Sequence, residues 1–113
     1  MFREVKIGDK TVPMLALASA NIYYKRVFGK DALVLQANAE TTGERIAFYG
    51  EMGFIMAKMA EAQGDRAKLL NLGEEQYIEW LEGFDTGAYN AAIKDMAELY
   101  EGQQVTKSKS KNG

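Results

Sequence analysis

Acidic side chains are the main candidates for chemistry in this 113-residue chain, because it contains neither histidine nor cysteine. Glu74 with Glu75, and Glu79 with Glu82, suggest the paired carboxylates that can perform general acid–base catalysis. All four fall on the outer face of one predicted amphipathic helix, where carboxylates are usually solvated charges. Since the usual general base is missing as well, we assign no catalytic residue and expect a protein that is not an enzyme.

Signatures of metal and cofactor sites are also missing from the sequence. The absence of cysteine and histidine removes the usual zinc ligands and the thiolate nucleophile. The run Gly50-Glu-Met-Gly53 lies within a predicted helix and lacks the preceding strand of a dinucleotide-binding loop. We therefore predict neither a metal nor a cofactor.

The net charge of −2 conceals a polarity along the chain. Residues 1–60 carry eight basic and six acidic side chains, residues 61–102 carry three and ten, and residues 103–113 carry three lysines. Nucleic-acid-binding proteins present a broad basic surface, so this pattern argues against a nucleic-acid partner. Oppositely charged halves fit head-to-tail self-association, although monomers show them too. No apolar run approaches the roughly 20 residues that span a membrane, and no secretory signal is visible, so we expect a cytoplasmic protein without a membrane partner.

Turn and capping signals predict a mainly α (α+β) fold, in which residues 1–102 form one helical domain with an N-terminal β-hairpin. Gly8-Asp9 predicts a type II′ turn, and Pro13 places its strand at a sheet edge. Four helices are predicted, at about 16–28, 43–64, 74–84 and 85–101, while residues 30–40 fit either a strand or a helical turn. Residues 103–113 are predicted to be a disordered basic tail. The predicted helix caps are Thr41, Asp65 and Asp85, and the predicted stops are Gly29, Gly64 and Gly102.

The helix at 43–64 has two apolar faces and only a narrow polar stripe. The polar stripe consists of Glu44, Glu51, Lys58 and Asp65. The bulky apolar face consists of Phe48, Met52, Ile55, Met56 and Met59. The other face has small residues at Gly50, Gly53, Ala57, Ala60 and Gly64. A glycine inside a helix costs roughly 1 kcal/mol relative to alanine, so the small face predicts close helix packing or self-association.

Two interpretations of the bulky face are open. In the first, this helix is the centre of a small bundle and both faces are intramolecular. In the second, the methionine-bearing face binds other chains, since flexible, polarisable methionine suits surfaces that accept varied partners. The cluster of Tyr23, Tyr24 and Phe28 allows the same two interpretations, with Ile22, Tyr23, Val27 and Phe28 as the predicted apolar side of the first helix. Trp80 is predicted to anchor the core.

Three segments, in this order and in so short a chain, resemble tail assembly chaperones of long-tailed bacteriophages or prophages of Gram-positive hosts. The segments are YYKRVFGKD at 23–31, EMGFIMAKMAE at 51–61 and EEQYIEWLEGFD at 74–85. The resemblance implies a non-enzymatic protein of the host cytoplasm that coats the tape measure protein, recruits tail tube subunits and is absent from the mature virion. It implies no particular partner-binding residue.

Two alternatives of other classes remain. The first is a small regulatory or adaptor protein that binds one folded partner through helix 43–64, and the second is a small-molecule-binding bundle with the methionine and phenylalanine face as its pocket. The resembled family adds an expectation about the gene, since many of its members are also made in a longer, frameshifted form. Lys111-Asn112 can be encoded by a run on which ribosomes slip, and the basic tail would then serve as a linker.

Overall fold

The computed structural model describes the backbone of residues 1–112 and the side chains of residues 1–102. The chain begins with an antiparallel hairpin of β1 (Phe2–Ile7) and β2 (Lys10–Leu15), joined so that Ile7 pairs with Lys10. Gly8 has a φ of 66°, and Asp9 is not among the residues with positive φ. This combination defines the predicted type II′ turn. Both strands of a two-stranded sheet are edges, which is why Pro13 is tolerated opposite Glu4.

The other elements of the described residues are helices, so the predicted mainly helical fold with an N-terminal hairpin is confirmed. The undecided segment at 30–40 forms a helix, because the Asp31 carboxylate accepts hydrogen bonds from the backbone N–H groups of Leu33 and Val34. The α-helices are α1 (Ala20–Phe28), α2 (Ala32–Asn38), α3 (Thr42–Ala62), α4 (Glu74–Leu81) and α5 (Thr86–Asn112), with a 3₁₀ turn at Arg66–Leu69 between α3 and α4.

The predicted caps at the starts of the elements are confirmed. Thr41 and Glu44 form the reciprocal capping box, in which the Glu44 N–H donates to Thr41 Oγ1 and the Thr41 N–H donates to the Glu44 carboxylate. The Asp65 carboxylate accepts from the Ala67 N–H at 3.1 Å and so caps the 3₁₀ turn. Asp85 caps α5 in the same way.

The helix ends were predicted less well. Gly29 closes α1 with a φ of 70°, as predicted. At the end of α3 both Gln63 and Gly64 adopt left-handed conformations, with φ of 49° and 87°. Gly102 lies within the bounds of α5, so the predicted stop at this residue is wrong; a glycine weakens a helix without ending it. The prediction of a disordered tail at 103–113 lies outside the residues whose side chains are described.

Helix α3 is the centre of the domain, and β2, α1 and α5 pack around it. Its residues from Phe48 to Ala57 are buried, apart from the partly covered Glu51. Val5, Ile7 and Met14 from the hairpin complete the core on one side. A helix that is apolar around most of its circumference must be covered on several sides. The intramolecular interpretation of both faces is therefore what the fold shows.

The first helix differs from its prediction in start and in orientation. It begins at Ala20, and its buried residues are Ala20 and Tyr24. Ile22, predicted to lie in the buried stripe, is 56% exposed. The small Ala20 side chain lets α1 lie close to its neighbours, while the Tyr24 hydroxyl donates to the Glu51 carboxylate at 2.6 Å. This buried contact turns Ile22 outward.

The segments at 23–31, 51–61 and 74–85 meet in one aromatic cluster. Phe28 of α1, Phe54 of α3 and Tyr77 of α4 lie in mutual contact, with ring centroids 5.2 Å apart for Phe28 and Tyr77 and 5.3 Å apart for Phe54 and Tyr77. Trp80 packs against Phe54 at 5.5 Å and against Tyr89 of α5 at 5.7 Å, so its predicted anchoring role is confirmed. These motifs therefore hold α4 against the rest of the domain.

Candidate functional site

The five residues predicted to bind a partner lie in the core. Their exposed fractions are 4% or less, in the set Phe48, Met52, Ile55, Met56 and Met59. The hairpin, α1 and α5 cover most of this side of α3. Only the 4% exposed Met59 among the five lines the groove between α1 and α3 that is described below, so the face as a whole offers no docking surface in the folded chain. This corrects the interpretation that the methionine face binds other chains. The physical reason is that amphipathicity shows that a face must be covered, but not whether the cover belongs to the same chain.

The small face of α3 packs against α5 at two of its five positions. A Cβ atom added at Gly53 would lie 2.4 Å from the Met96 sulfur, and one added at Gly50 would lie 3.1 Å from the Tyr89 ring. The Tyr89 hydroxyl also donates to the Gly50 carbonyl at 2.6 Å. The predicted close helix packing is thus confirmed at Gly50 and Gly53, within the chain.

The remaining small residues play lesser parts. Ala57 is buried and Ala60 is partly exposed. Gly64 is exposed, and its φ of 87° serves the chain reversal after α3 instead of a helix contact. Self-association through this stripe would require α5 to leave it, so any self-association must use another surface.

The polar stripe of α3 is not wholly solvated, contrary to expectation. The Glu51 side chain is only 15% exposed, because Tyr24 and Lys30 cover it, and the Lys30 ammonium lies 3.2 Å from its carboxylate. Burial, followed by the hydrogen bond to Glu51, raises the pKa of Tyr24 above its usual value. Through these contacts Glu51 holds α1 and the loop after it against α3, so its role in the fold is structural.

The carboxylates of α4 behave as predicted. Side chains at Glu74, Glu75, Glu79 and Glu82 are exposed. Within the described residues, no three acidic side chains approach closely enough to hold a metal ion. No helix of that part of the chain is long and apolar enough to cross a membrane.

Exposed aliphatic residues lie beside two surface grooves on the outer side of α1. Here Ile22 forms a ridge between two grooves. The α1–α3 groove, of about 420 Å³, is lined by Leu15, Leu17, Ser19, Ile22, Tyr23, Arg26, Met59, Ala62, Gly64, Arg66 and Leu69. The α1–α2 groove, of about 500 Å³, is lined by Asn21, Ile22, Lys25, Arg26, Asp31, Ala32 and Leu33. Both combine an apolar lining with basic side chains.

Three exposed apolar residues define this surface. Leu17 is 45% exposed and lines only the α1–α3 groove, whereas Leu33 is 56% exposed and lines only the α1–α2 groove. Ile22 belongs to both grooves. A folded domain that exposes neighbouring large aliphatic residues beside grooves has the features of an interaction surface.

Sequence reasoning missed this surface for two reasons. It assigned Ile22 to the buried side of α1, and it left the segment that contains Leu33 without an element. The available signal was Asp31, whose carboxylate can cap a helix. In a helix, the consecutive residues Ala32, Leu33 and Val34 point about 100° apart, so a helix that packs on one side with Ala32 turns the others outward. Assigning α2 would have predicted that some of its aliphatic residues face solvent.

Comparisons of this chain with protein-family models, curated proteins and solved structures found no match. The candidate site is therefore described by the geometry of this chain alone.

Proposed function

We propose that this chain is a tail assembly chaperone of a long-tailed bacteriophage or prophage, which binds the tape measure protein and recruits tail tube subunits during tail morphogenesis. It acts in the host cytoplasm and leaves before the virion matures. The proposal rests on the order of the three segments at 23–31, 51–61 and 74–85 and on the grooves beside α1. The protein has no catalytic step in this role.

The observation that carries the proposal is the α1–α2 groove with Ile22 and Leu33 at its edge. A long amphipathic helix presents apolar residues at spacings of three and four, and such a helix binds grooves that accept a few of these side chains. Ile22 and Leu33 supply the apolar contact, while Lys25 and Arg26 favour a helix with acidic residues beside its apolar stripe. A shallow site suits a chaperone, which must release its client.

The test is co-expression with a fragment of the tape measure protein encoded beside this gene. The parent chain is expected to keep the fragment soluble and to co-purify with it. Leu33→Glu should lower the soluble yield at least about tenfold, because a carboxylate placed in an apolar contact loses hydration without a partner. Val34→Glu is the matched control, since Val34 is 54% exposed, neighbours Leu33 in α2 and lines neither groove.

Two results would overturn the proposal. One is a parent chain that leaves the fragment insoluble, and the other is equal activity of the Leu33→Glu and Val34→Glu variants. A locus without tail tube and tape measure genes would count against it independently.

The adaptor alternative gains nothing from the fold. It requires a partner to bind helix 43–64, whose apolar residues are covered by β2, α1 and α5. A small-molecule pocket on the methionine and phenylalanine face meets the same difficulty, because those side chains are packed against one another.

A further inference from the structure

Helix α4 presents an isolated apolar residue within an acidic face. Ile78 is 48% exposed, although the neighbouring Tyr77 and Trp80 pack inward. Glu74 and Glu75 of α4, and Glu82 directly after it, lie three or four residues from Ile78 and therefore flank it on the same side of the helix. Among the described residues, none of these glutamates forms an ion pair. Within residues 1–102, this group of acidic side chains around an exposed isoleucine therefore has no charged partner.

The α1–α3 groove has the complementary character. Leu17, Ile22 and Leu69 give it an apolar lining, and two guanidinium groups also line it, Arg26 from α1 and Arg66 from the 3₁₀ turn. Arg26 lies over the Tyr23 ring at 5.6 Å, and within the described part of the chain neither arginine pairs with a carboxylate. The planar guanidinium group of arginine suits carboxylate partners, because it can donate two hydrogen bonds to one carboxylate.

We propose that this groove receives α4 of a second copy of the chain, with Ile78 against Leu17 and Ile22 and the glutamates of α4 facing Arg26 and Arg66. The two complementary surfaces lie on different elements and share no residue, so the contact is heterologous, and each copy keeps one groove and one α4 free for further copies. Every copy of the chain carries both a basic groove and an acidic α4 face, so a second copy supplies a partner of complementary charge for the groove. The inference does not depend on the proposed function.

The proposed contact between two copies should be weak, because it is small and its charges are exposed. Helix α4 has eight residues, a length of about 12 Å at 1.5 Å per residue, so the buried area falls below that of a standard interface. The charged groups are exposed, and salt therefore screens them. We expect association that depends on protein concentration, with a dissociation constant on the order of 100 μM at low salt and weaker binding at high salt.

Charge exchange tests the geometry. Arg66→Glu places an acid in the groove, and Glu75→Lys places a base beside Ile78 on α4; each residue is exposed, so neither change disturbs the core. Each variant alone should bind itself at least about tenfold more weakly than the parent, because like charges then face each other. An equimolar mixture should recover the parental affinity, since both contacts in an alternating array pair opposite charges. Glu4→Lys is the control, as it makes the same charge change on β1, away from both surfaces.

Sedimentation equilibrium of the 12.6 kDa chain over a concentration series measures the affinities, and circular dichroism verifies that every variant is folded. A parent whose mass stays monomeric up to about 1 mM at low salt would overturn the inference. So would a mixture that associates no more strongly than its separate components, or a Glu4→Lys variant weakened as much as Glu75→Lys. Leu33→Glu leaves this groove intact, so loss of client binding and loss of self-association can be told apart.

Discussion

Among the described glycines, Gly53 of α3 leaves the least space for an added Cβ atom, and replacing it should reveal how tightly α3 and α5 pack. A Cβ atom at Gly53 would lie 2.4 Å from the Met96 sulfur and 3.2 Å from Met96 Cγ. Met96 is fully buried, so its side chain has no solvent-filled space into which it can move. Alanine must therefore displace Met96 or separate the helices.

The expected magnitude is a balance of two terms. Alanine in a helix interior is about 1 kcal/mol more favourable than glycine, whereas overpacking a core costs roughly 1 to 3 kcal/mol. We expect Gly53→Ala to lower the free energy of unfolding by up to about 2 kcal/mol, and Gly53→Leu to lower it further, since leucine adds three more carbon atoms. Urea unfolding followed by circular dichroism measures both changes.

Two controls isolate the contact. Gly43→Ala lies in the first turn of the same helix, where an added Cβ meets nothing closer than 4.0 Å, so it should stabilise the chain or leave it unchanged. In a Met96→Ala background, itself about 2 to 5 kcal/mol less stable, Gly53→Ala should no longer be harmful. The reasoning is refuted if Gly53→Ala stabilises the parent as much as Gly43→Ala does.

Three further predictions concern a helix cap, a buried hydrogen bond and two buried tyrosines. Thr41→Ala should lower the free energy of unfolding by about 1 kcal/mol through loss of the capping box, while the neighbouring exposed Thr42→Ala should not; equal effects in urea unfolding would contradict this. Tyr89→Phe should cost about 1 kcal/mol, because its buried hydrogen bond to Gly50 is lost, and an unchanged denaturation midpoint would argue against that bond. Burial raises the pKa of Tyr49 and Tyr77 to about 12, above the usual value near 10. The folded chain then holds these protons more tightly than the unfolded chain, so stability should be level below about pH 10 and fall as pH rises towards 12, which unfolding at stepped pH measures.

Local interactions made much of the fold predictable. The capping box of Thr41 and Glu44, the Asp65 and Asp85 caps and the left-handed Gly29 each join residues within four positions of one another. Such contacts depend on residue type and spacing alone. The hairpin turn at Gly8-Asp9 belongs to the same class, because glycine supplies its positive φ without strain.

The candidate site was not predictable in the same way. Ile22 and Tyr24 stand two positions apart on α1, and the burial of Tyr24 rests on Glu51, which lies 27 residues further along the chain. With Tyr24 held in the core by this hydrogen bond and by its ring contact with Phe48, Ile22 lies on the outer side of α1 between the two grooves. The grooves themselves also require α2 and the 3₁₀ turn in their folded positions.

The amino-acid sequence by itself determined where α3, the 3₁₀ turn and α5 start, that α3 must be covered on most sides, and that its two inner glycines mark a close approach. Only the tertiary structure decided what covers α3, because an apolar face has the same composition whether a neighbouring element or another chain packs on it. It assigned Met52 and Met56 to the core and Gly53 to the contact with Met96. The physical reason is that burial is non-directional, whereas the choice of partner depends on contacts between residues far apart in sequence.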